Sequence, residues 1–278
     1  MLKIGEYNKL KIVKELDFGL YLDGLDKGEI LLPRRYAPKK FEINEEIVVF
    51  IYTDSEDRLI ATTLKPKAIV GDFALLKMIS KNSFGAFYDW GLPKDLFVPK
   101  KEQRDDMTVG RSCIVYIYVD ALTDRVVAST KAERFINQET PEFRDGEEVD
   151  LLILKKTTLG YKAIINNAFS GVLFENEIFE PLKVGQQIKG YIKNIRDDGK
   201  IDLSLQKSGF ALVDDLAEKI LEKLQDEDGY LNITDKSSPE DISSMFGVSK
   251  KAFKKAVGLL YKERTITIEE DGIKIIEM

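Results

Sequence analysis

Three stretches of this chain carry the same marks in the same order. A chain that repeats itself at near-constant spacing must fold as an array of one small unit. Phe18-Gly19-Leu20-Tyr21-Leu22 matches Phe84-Gly85-Ala86-Phe87-Tyr88, and Leu159-Gly160-Tyr161-Lys162-Ala163 is a weaker third copy. Each copy is followed by a short apolar segment, at 28–33 (GEILLP), 94–99 (KDLFVP) and 171–175 (GVLFE). A turn then precedes a long β-type run, at 44–46 (NEE), 109–111 (VGR) and 184–186 (VGQ). Each copy closes on a cation followed by alternating residues, at 58–62 (RLIAT), 125–129 (RVVAS) and 200–204 (KIDLS). Phe18 and Phe84 lie 66 residues apart and Arg58 and Arg125 lie 67 apart, while both landmarks advance by 75 to the third copy. Two independent landmarks with nearly equal offsets mark an internal repeat.

The second copy is the richest. Residues 82–99 place Phe84, Phe87, Tyr88, Trp90 and Phe97 around two glycines. Phe84 and Phe87 are three apart, so a regular strand would point them to opposite faces; Gly85 permits a turn or bulge that brings both rings to one side. Two rings on one face make a stacking platform. Trp90, beside Gly91, reads as a hydrophobic lid on a loop.

The runs DFGLYLDGLDKGEILLP and SFGAFYDWGLPKDLFVP, closing on DRLIATT and DRVVAST, resemble the S1 type of RNA-binding domain. The whole chain is similar to the conserved virulence factor B family of bacterial S1 proteins. That resemblance implies a mainly β, multidomain fold: three tandem S1-like OB-fold β-barrels at 1–65, 66–145 and 146–208, then a winged helix at 209–278. It also implies a bacterial regulator of gene expression acting through RNA and bearing on virulence factors.

Several chemistries are excluded by what the chain lacks. It has no histidine and one cysteine, which rules out His-based triads, His-ligated metal and thiolate zinc sites. Asp105-Asp106 and Asp197-Asp198 have the setting of solvated turn acids, and no Walker A or GxGxxG run occurs. No catalytic residue, metal or cofactor is expected. Cys113, in an alternating run, is expected to be a small buried residue. No apolar run approaches a membrane span and the first residues lack a signal-peptide core, so the expected location is cytoplasmic.

The formal net charge is −6, but phosphate contact depends on where charge sits. Residues 245–265 carry six cations (Lys250, Lys251, Lys254, Lys255, Lys262, Arg264) against one acid, whereas residues 212–241 carry ten acids against three lysines. The last domain is bipolar.

Between the repeats, residues 64–69 are a linker too short to let the first two barrels drift apart. Residues 131–145 look helical, opened by a capping-box pattern at Thr130-Lys131-Ala132-Glu133 and ended before Pro141. The third copy has Leu159 and Lys162 where the second has Phe84 and Phe87, so it reads as a spacer, or as a phosphate site using Lys155, Lys156, Lys162 and Lys193. After residue 209 the period becomes 3.6: Val213, Leu216, Ala217, Ile220, Leu221 and Leu224 form one stripe. Ser238-Pro239 and Gly247 bound a second helix, Ser249 caps a third, and Asp271-Gly272 signals a hairpin. The basic third helix lies in the recognition position of a winged helix.

The expected function is single-stranded RNA binding without chemistry by a monomer. Phe18, Tyr21, Phe84 and Phe87 would stack on bases, Arg58, Arg125, Lys250, Lys251, Lys254 and Lys255 would meet phosphates, and the winged helix is a further nucleic-acid contact. Arg58, Arg125 and Lys200 have Asp54, Asp120 and Asp197 nearby as structural partners. A scaffold docking on the transcription or translation machinery is the competing reading, because both folds host both uses.

Overall fold

Short alternating runs separated by turns build three barrels in succession. The computed structural model describes residues 1–104, 107–139, 141–175, 178, 180–206 and 210–276, with backbone only for 210–215; the Asp105-Asp106 pair lies outside the described residues. The first barrel contains β1 (Tyr7–Leu16), β2 (Gly19–Asp23), β3 (Glu29–Pro33), β4 (Glu46–Thr53) and β5 (Leu59–Thr62). The second contains β6 (Phe73–Lys81), β7 (Gly85–Asp89), β8 (Leu96–Pro99), β9 (Ser112–Val119) and β10 (Val126–Ser129). The third contains β11 (Glu148–Thr157), β12 (Gly160–Ile165), β13 (Phe169–Phe174), β14 (Gln187–Ile195) and β15 (Ile201–Ser204). Each closes in the same order, first, second, third, fifth, fourth strand, which is the five-stranded OB arrangement.

The long first strand of every barrel bulges at the same place, between Ile12 and Lys14, Met78 and Ser80, and Ile153 and Lys155. A bulge adds the local twist that lets one strand pair with two neighbours on a closed surface. The irregularity expected at Gly85 is therefore in the facing strand. Gly85 itself is required by close approach: a Cβ there would lie 2.4 Å from the Val98 carbonyl oxygen and 2.5 Å from the Phe97 ring. Gly19 stands in the same relation to the Leu32 carbonyl (2.3 Å) and Gly160 to that of Leu173 (2.1 Å), which explains why all three copies keep this glycine. Gly85→Ala is expected to lower unfolding free energy by about 1–3 kcal/mol. By contrast, Gly258 is mid-helix with open space around it, and Gly258→Ala is expected to stabilise by up to about 1 kcal/mol. Urea melts of the two variants check both signs.

The first two barrels share a core. Phe50 and Tyr52 of β4 join Leu76, Met78, Tyr88 and Trp90 in one buried cluster. Trp90 is not a lid: it is 2% exposed, its ring meets those of Phe50 at 5.8 Å and Tyr52 at 6.3 Å edge-on, and its N–H donates to the Lys94 carbonyl at 2.6 Å. A backbone bond crosses the same seam, from Val70 N–H to Gly5 O (2.9 Å), and Gly5 is tied to its own barrel by its N–H to Ile51 O (2.7 Å). Between the second barrel and β12 lies Asn167, whose side chain accepts from Phe73 N–H and donates to the Gly71 carbonyl.

Two local expectations are corrected. The helix over 131–145 reduces to one 3-10 turn, Ala132–Phe135, because the Thr130 hydroxyl is taken by Arg104 N–H and the Glu102 carbonyl instead of capping. Ala132, Phe135 and Ile136 pack with Phe73 and Leu152, which fixes the segment without a helix. Cys113 is partly rather than fully buried, with Sγ 3.5 Å from the Tyr88 hydroxyl.

The C-terminal domain is a winged helix: α1 (Phe210–Asp226), β16 (Tyr230–Leu231), α2 (Pro239–Phe246), α3 (Lys250–Lys262), β17 (Ile266–Ile268) and β18 (Ile273–Ile275). Ser238 accepts from Asp241 N–H, Pro239 opens α2, Gly247 ends it in the left-handed conformation, and Ser249 accepts from Ala252 N–H. Leu216, Ala217, Ile220 and Leu224 are buried against Phe253, Val257 and Leu260, with Leu221 packed beside them; the Val213 side chain lies outside the described set. The short β16 was not expected; it pairs with β18 and makes the wing three-stranded.

Candidate nucleic-acid interface

The barrels' common strand order sets equivalent outward-facing positions in register. In the second barrel Phe87 sits between Ser80 of β6 and Phe97 of β8, and Phe97 faces Val127 of β10. In the first, Tyr21 sits between Lys14 and Leu31, and in the third Lys162 sits between Lys155 and Val172. The residue three before each, Phe18, Phe84 or Leu159, sits in the turn ahead of the second strand. In the second copy Asn82 forms that turn, its side-chain oxygen accepting from Phe84 N–H (2.9 Å) and Gly85 N–H (3.0 Å).

The outcome is graded. Phe84 is 78% exposed and lines one concave site with Phe87 and Phe97, whose rings pack 5.2 Å apart. The structure thus brings Phe84 and Phe87 to the same side. Phe18 (55% exposed) meets Tyr21 edge-on at 6.0 Å, but the Lys14 ammonium lies 4.7 Å over the Tyr21 ring. Ser80 holds the corresponding place beside Phe87, and among the described residues no cation lies over that ring. In the third barrel Leu159 is exposed, Tyr161 is buried, and Lys155 and Lys162 both reach Glu133, at 2.6 and 3.5 Å. Lys156 pairs with Glu175 at 2.9 Å, so these cations are held by the protein's own acids.

The concave site, about 270 Å³, is composite: the aromatic face of the second barrel meets the end of β4, which contributes Tyr52 and Thr53, and the β4–β5 turn of the first, which contributes Asp57. Burial pushes the Tyr52 phenol up to about 12, keeping it neutral. Arg125 lines the site and is ion-paired with Asp57 across the junction, not with Asp120. Asp120 instead accepts from the Leu122 and Thr123 N–H groups within its own turn. Lys94 reaches the same Asp57 at 3.2 Å, and also the Thr53 hydroxyl and the Asp54 carbonyl. Arg58 pairs as expected with Asp54 (2.8 Å) and also with Glu56 (2.9 Å), and the Asp54 bond raises its already high pKa. Lys200 pairs with Asp198 rather than Asp197.

On α3, Lys251, Lys254 and Lys255 are exposed, while Lys250 is partly covered and donates to the Lys236 carbonyl at 3.1 Å. Lys254, itself exposed, lies 3.4 Å from the partly buried Asp235, a pair at the surface of the kind that contributes little. Of the residues that shape the composite site, Phe97, Lys94, Asp57 and Asp95 were not among the expected set. Phe97 had a signal in the matched apolar segment after each copy; the junction residues had none, since repeat matching compares copies and says nothing of how they touch.

Comparison with known proteins is consistent along the chain. A model of the S1 domain matches residues 4–64 and 70–131, and a model described as the CvfB-like winged helix domain matches residues 218–275. The uncharacterized protein YitL of Bacillus subtilis (strain 168) is 30% identical over 282 residues, covering 96% of this chain and 92% of that protein. Conserved virulence factor B of Staphylococcus saprophyticus is 27% identical over 246 residues, covering 86% and 82%. A crystal structure of a multidomain protein with nucleic acid binding domains from Streptococcus pneumoniae is 23% identical, covers 98% of each chain and has a TM-score of 0.41.

Proposed function

The chain belongs to the conserved virulence factor B family, and on that premise we propose that it binds single-stranded RNA without turning it over and acts through RNA on gene expression. The observation that carries this reading is the open aromatic face of the second barrel, where Phe84, Phe87 and Phe97 surround a base-sized hollow. Rings held outward on a rigid barrel are poor core and good stacking surface, and any base offers a π face to them. The name of the staphylococcal relatives extends the reading to expression of virulence factors. The described site offers rings, amides and ion-paired cations but no base and nucleophile set in contact, which supports binding rather than chemistry.

Division of labour follows from side-chain type. The barrel cations singled out as binders, Arg58, Arg125, Lys155, Lys156 and Lys162, are paired with acids, so the barrels supply stacking and the α3 lysines supply phosphate contact. No Asn or Gln lies on α3, so the helix grips the backbone without reading base edges. Replacing Lys250, Lys251, Lys254 and Lys255 together by Gln is expected to weaken binding to all sequences alike. The slope of log affinity against log salt should fall by about 0.7 for each lysine that touched a single strand. A slope unchanged by the fourfold substitution removes α3 from the interface.

The function itself is tested by anisotropy titration of the full chain with single-stranded homopolymers and an RNA duplex, with magnesium present. Saturable binding to single strands, weaker binding to duplex and intact RNA afterwards are expected. Binding to no RNA, together with capture of a transcription or translation component, establishes the scaffold reading in its place.

A further inference from the structure

Asp95 stands out among the side chains of the composite pocket. It is a partly buried carboxylate two residues before Phe97 in sequence, it lines the pocket, and among the described residues no group donates a hydrogen bond to it. Its charge is opposed first by burial and then by Asp89, both of which raise its pKa. The two cations on the same pocket, Lys94 and Arg125, are both drawn to Asp57 across the barrel junction. An acceptor pair left without donors against aromatic rings is a recognition element waiting for a ligand that carries donors.

The four bases differ in what they can offer a carboxylate. Guanine presents two adjacent donors, N1–H and the N2 amino group, which match the two oxygens of one carboxylate, with O6 beside them to accept from a cation. Adenine and cytosine each place a ring acceptor next to their amino group, and uracil flanks its single N–H with two carbonyls, so each sets a lone pair against the carboxylate. We propose that this pocket is a guanine subsite: Phe84, Phe87 and Phe97 stack on the base, Asp95 accepts from N1–H and N2, and the Lys94–Arg125 side of the pocket faces O6. The inference rests on the reading that the second barrel binds single-stranded RNA, and adds to it a base preference that stacking alone does not give. It also gives the fusion of the two barrels a role, because the first barrel's Asp57 holds the cations that complete the pocket.

The test is anisotropy titration of the full chain with oligouridylates of about 12 nucleotides, a length within the span of one or two OB barrels. Each carries one central guanosine, adenosine or inosine. The wild-type chain is expected to favour guanosine over adenosine by about tenfold, the size of one good bidentate pair. Inosine lacks the N2 amino group and should fall between the two. Asp95→Asn keeps the shape but replaces one acceptor with a donor; it should bring the guanosine to adenosine ratio to about twofold or less, by lowering guanosine affinity and easing the clash with adenine N1. A wild-type chain that binds guanosine and adenosine oligomers equally overturns the subsite and leaves single-strand binding standing. So does an Asp95→Asn chain that keeps the full ratio. Failure to bind any oligomer overturns both. The inosine arm needs no substitution in the protein, so a misfolded variant does not protect the proposal.

Discussion

Replacing Trp90 with alanine is expected to remove about 3–5 kcal/mol of stability, the usual range for emptying a buried aromatic site. The indole is the wedge between the first two barrels, edge-on to Phe50 and Tyr52 and bonded to the Lys94 carbonyl. Its loss opens a cavity at the shared core and leaves that carbonyl without its donor. The ion pairs over the same junction, Arg125 with Asp57 and Lys27 with Asp124, are partly or largely exposed and contribute about 0–1 kcal/mol each at most. The apolar wedge therefore outweighs them, and Asp57→Asn should barely move the melt. Trp90→Phe refills most of the volume but not the hydrogen bond, so an intermediate loss of about 1–3 kcal/mol is expected. Because Trp90 is the one tryptophan of the chain, circular dichroism rather than intrinsic fluorescence must follow the urea transitions. With several domains present, the comparison is of the transition assigned to the fused barrels. A Trp90→Ala chain within about 1 kcal/mol of wild type would sink the wedge.

That wedge also shows where the sequence stopped being informative. The strand order of all three barrels follows from repeated marks, because each copy had to solve the same closure problem with the same glycine, turn and terminal strand. The winged helix was legible for a different reason: Ser238, Pro239, Gly247 and Ser249 each sit where local backbone chemistry alone dictates a helix end. Trp90 depends on residues of another repeat, and its neighbours in sequence, Asp89 and Gly91, say nothing of them. One signal did exist. Residues 49–53 are buried without alternation, and a strand apolar on both faces must be covered on both. Reading that run as a strand with a second barrel against it would have placed the junction. The same blindness explains the arginines. Asp54 lies within the turn that carries Arg58, so local pairing was visible, whereas Arg125 reaches an acid 68 residues away. The capping-box pattern at Thr130 failed because a tertiary acceptor, the Glu102 carbonyl, took the hydroxyl.

Phe84→Ala combined with Phe87→Ala is expected to weaken single-strand RNA binding by about 2–4 kcal/mol, thirtyfold or more in affinity. One stacked base is worth about 1–3 kcal/mol, and two neighbouring rings fall short of additivity because they share the same ligand. The fold should tolerate the change, since Phe84 is 78% exposed and Phe87 loses one ring contact, with Phe97. The matched substitutions rank the barrels. Phe18→Ala with Tyr21→Ala should cost less, because Lys14 already covers the Tyr21 face that a base would use. Leu159→Ala with Lys162→Ala should leave binding unchanged, because that position holds an aliphatic side chain and an ammonium tied to Glu133. The ordering of the three pairs, second barrel over first over third, is the discriminating result. A folded Phe84/Phe87 variant that binds like wild type moves the interface elsewhere. A larger loss at Phe18 and Tyr21 would mean that RNA displaces Lys14 from its ring, and that the ammonium then serves the phosphate of the base it makes room for.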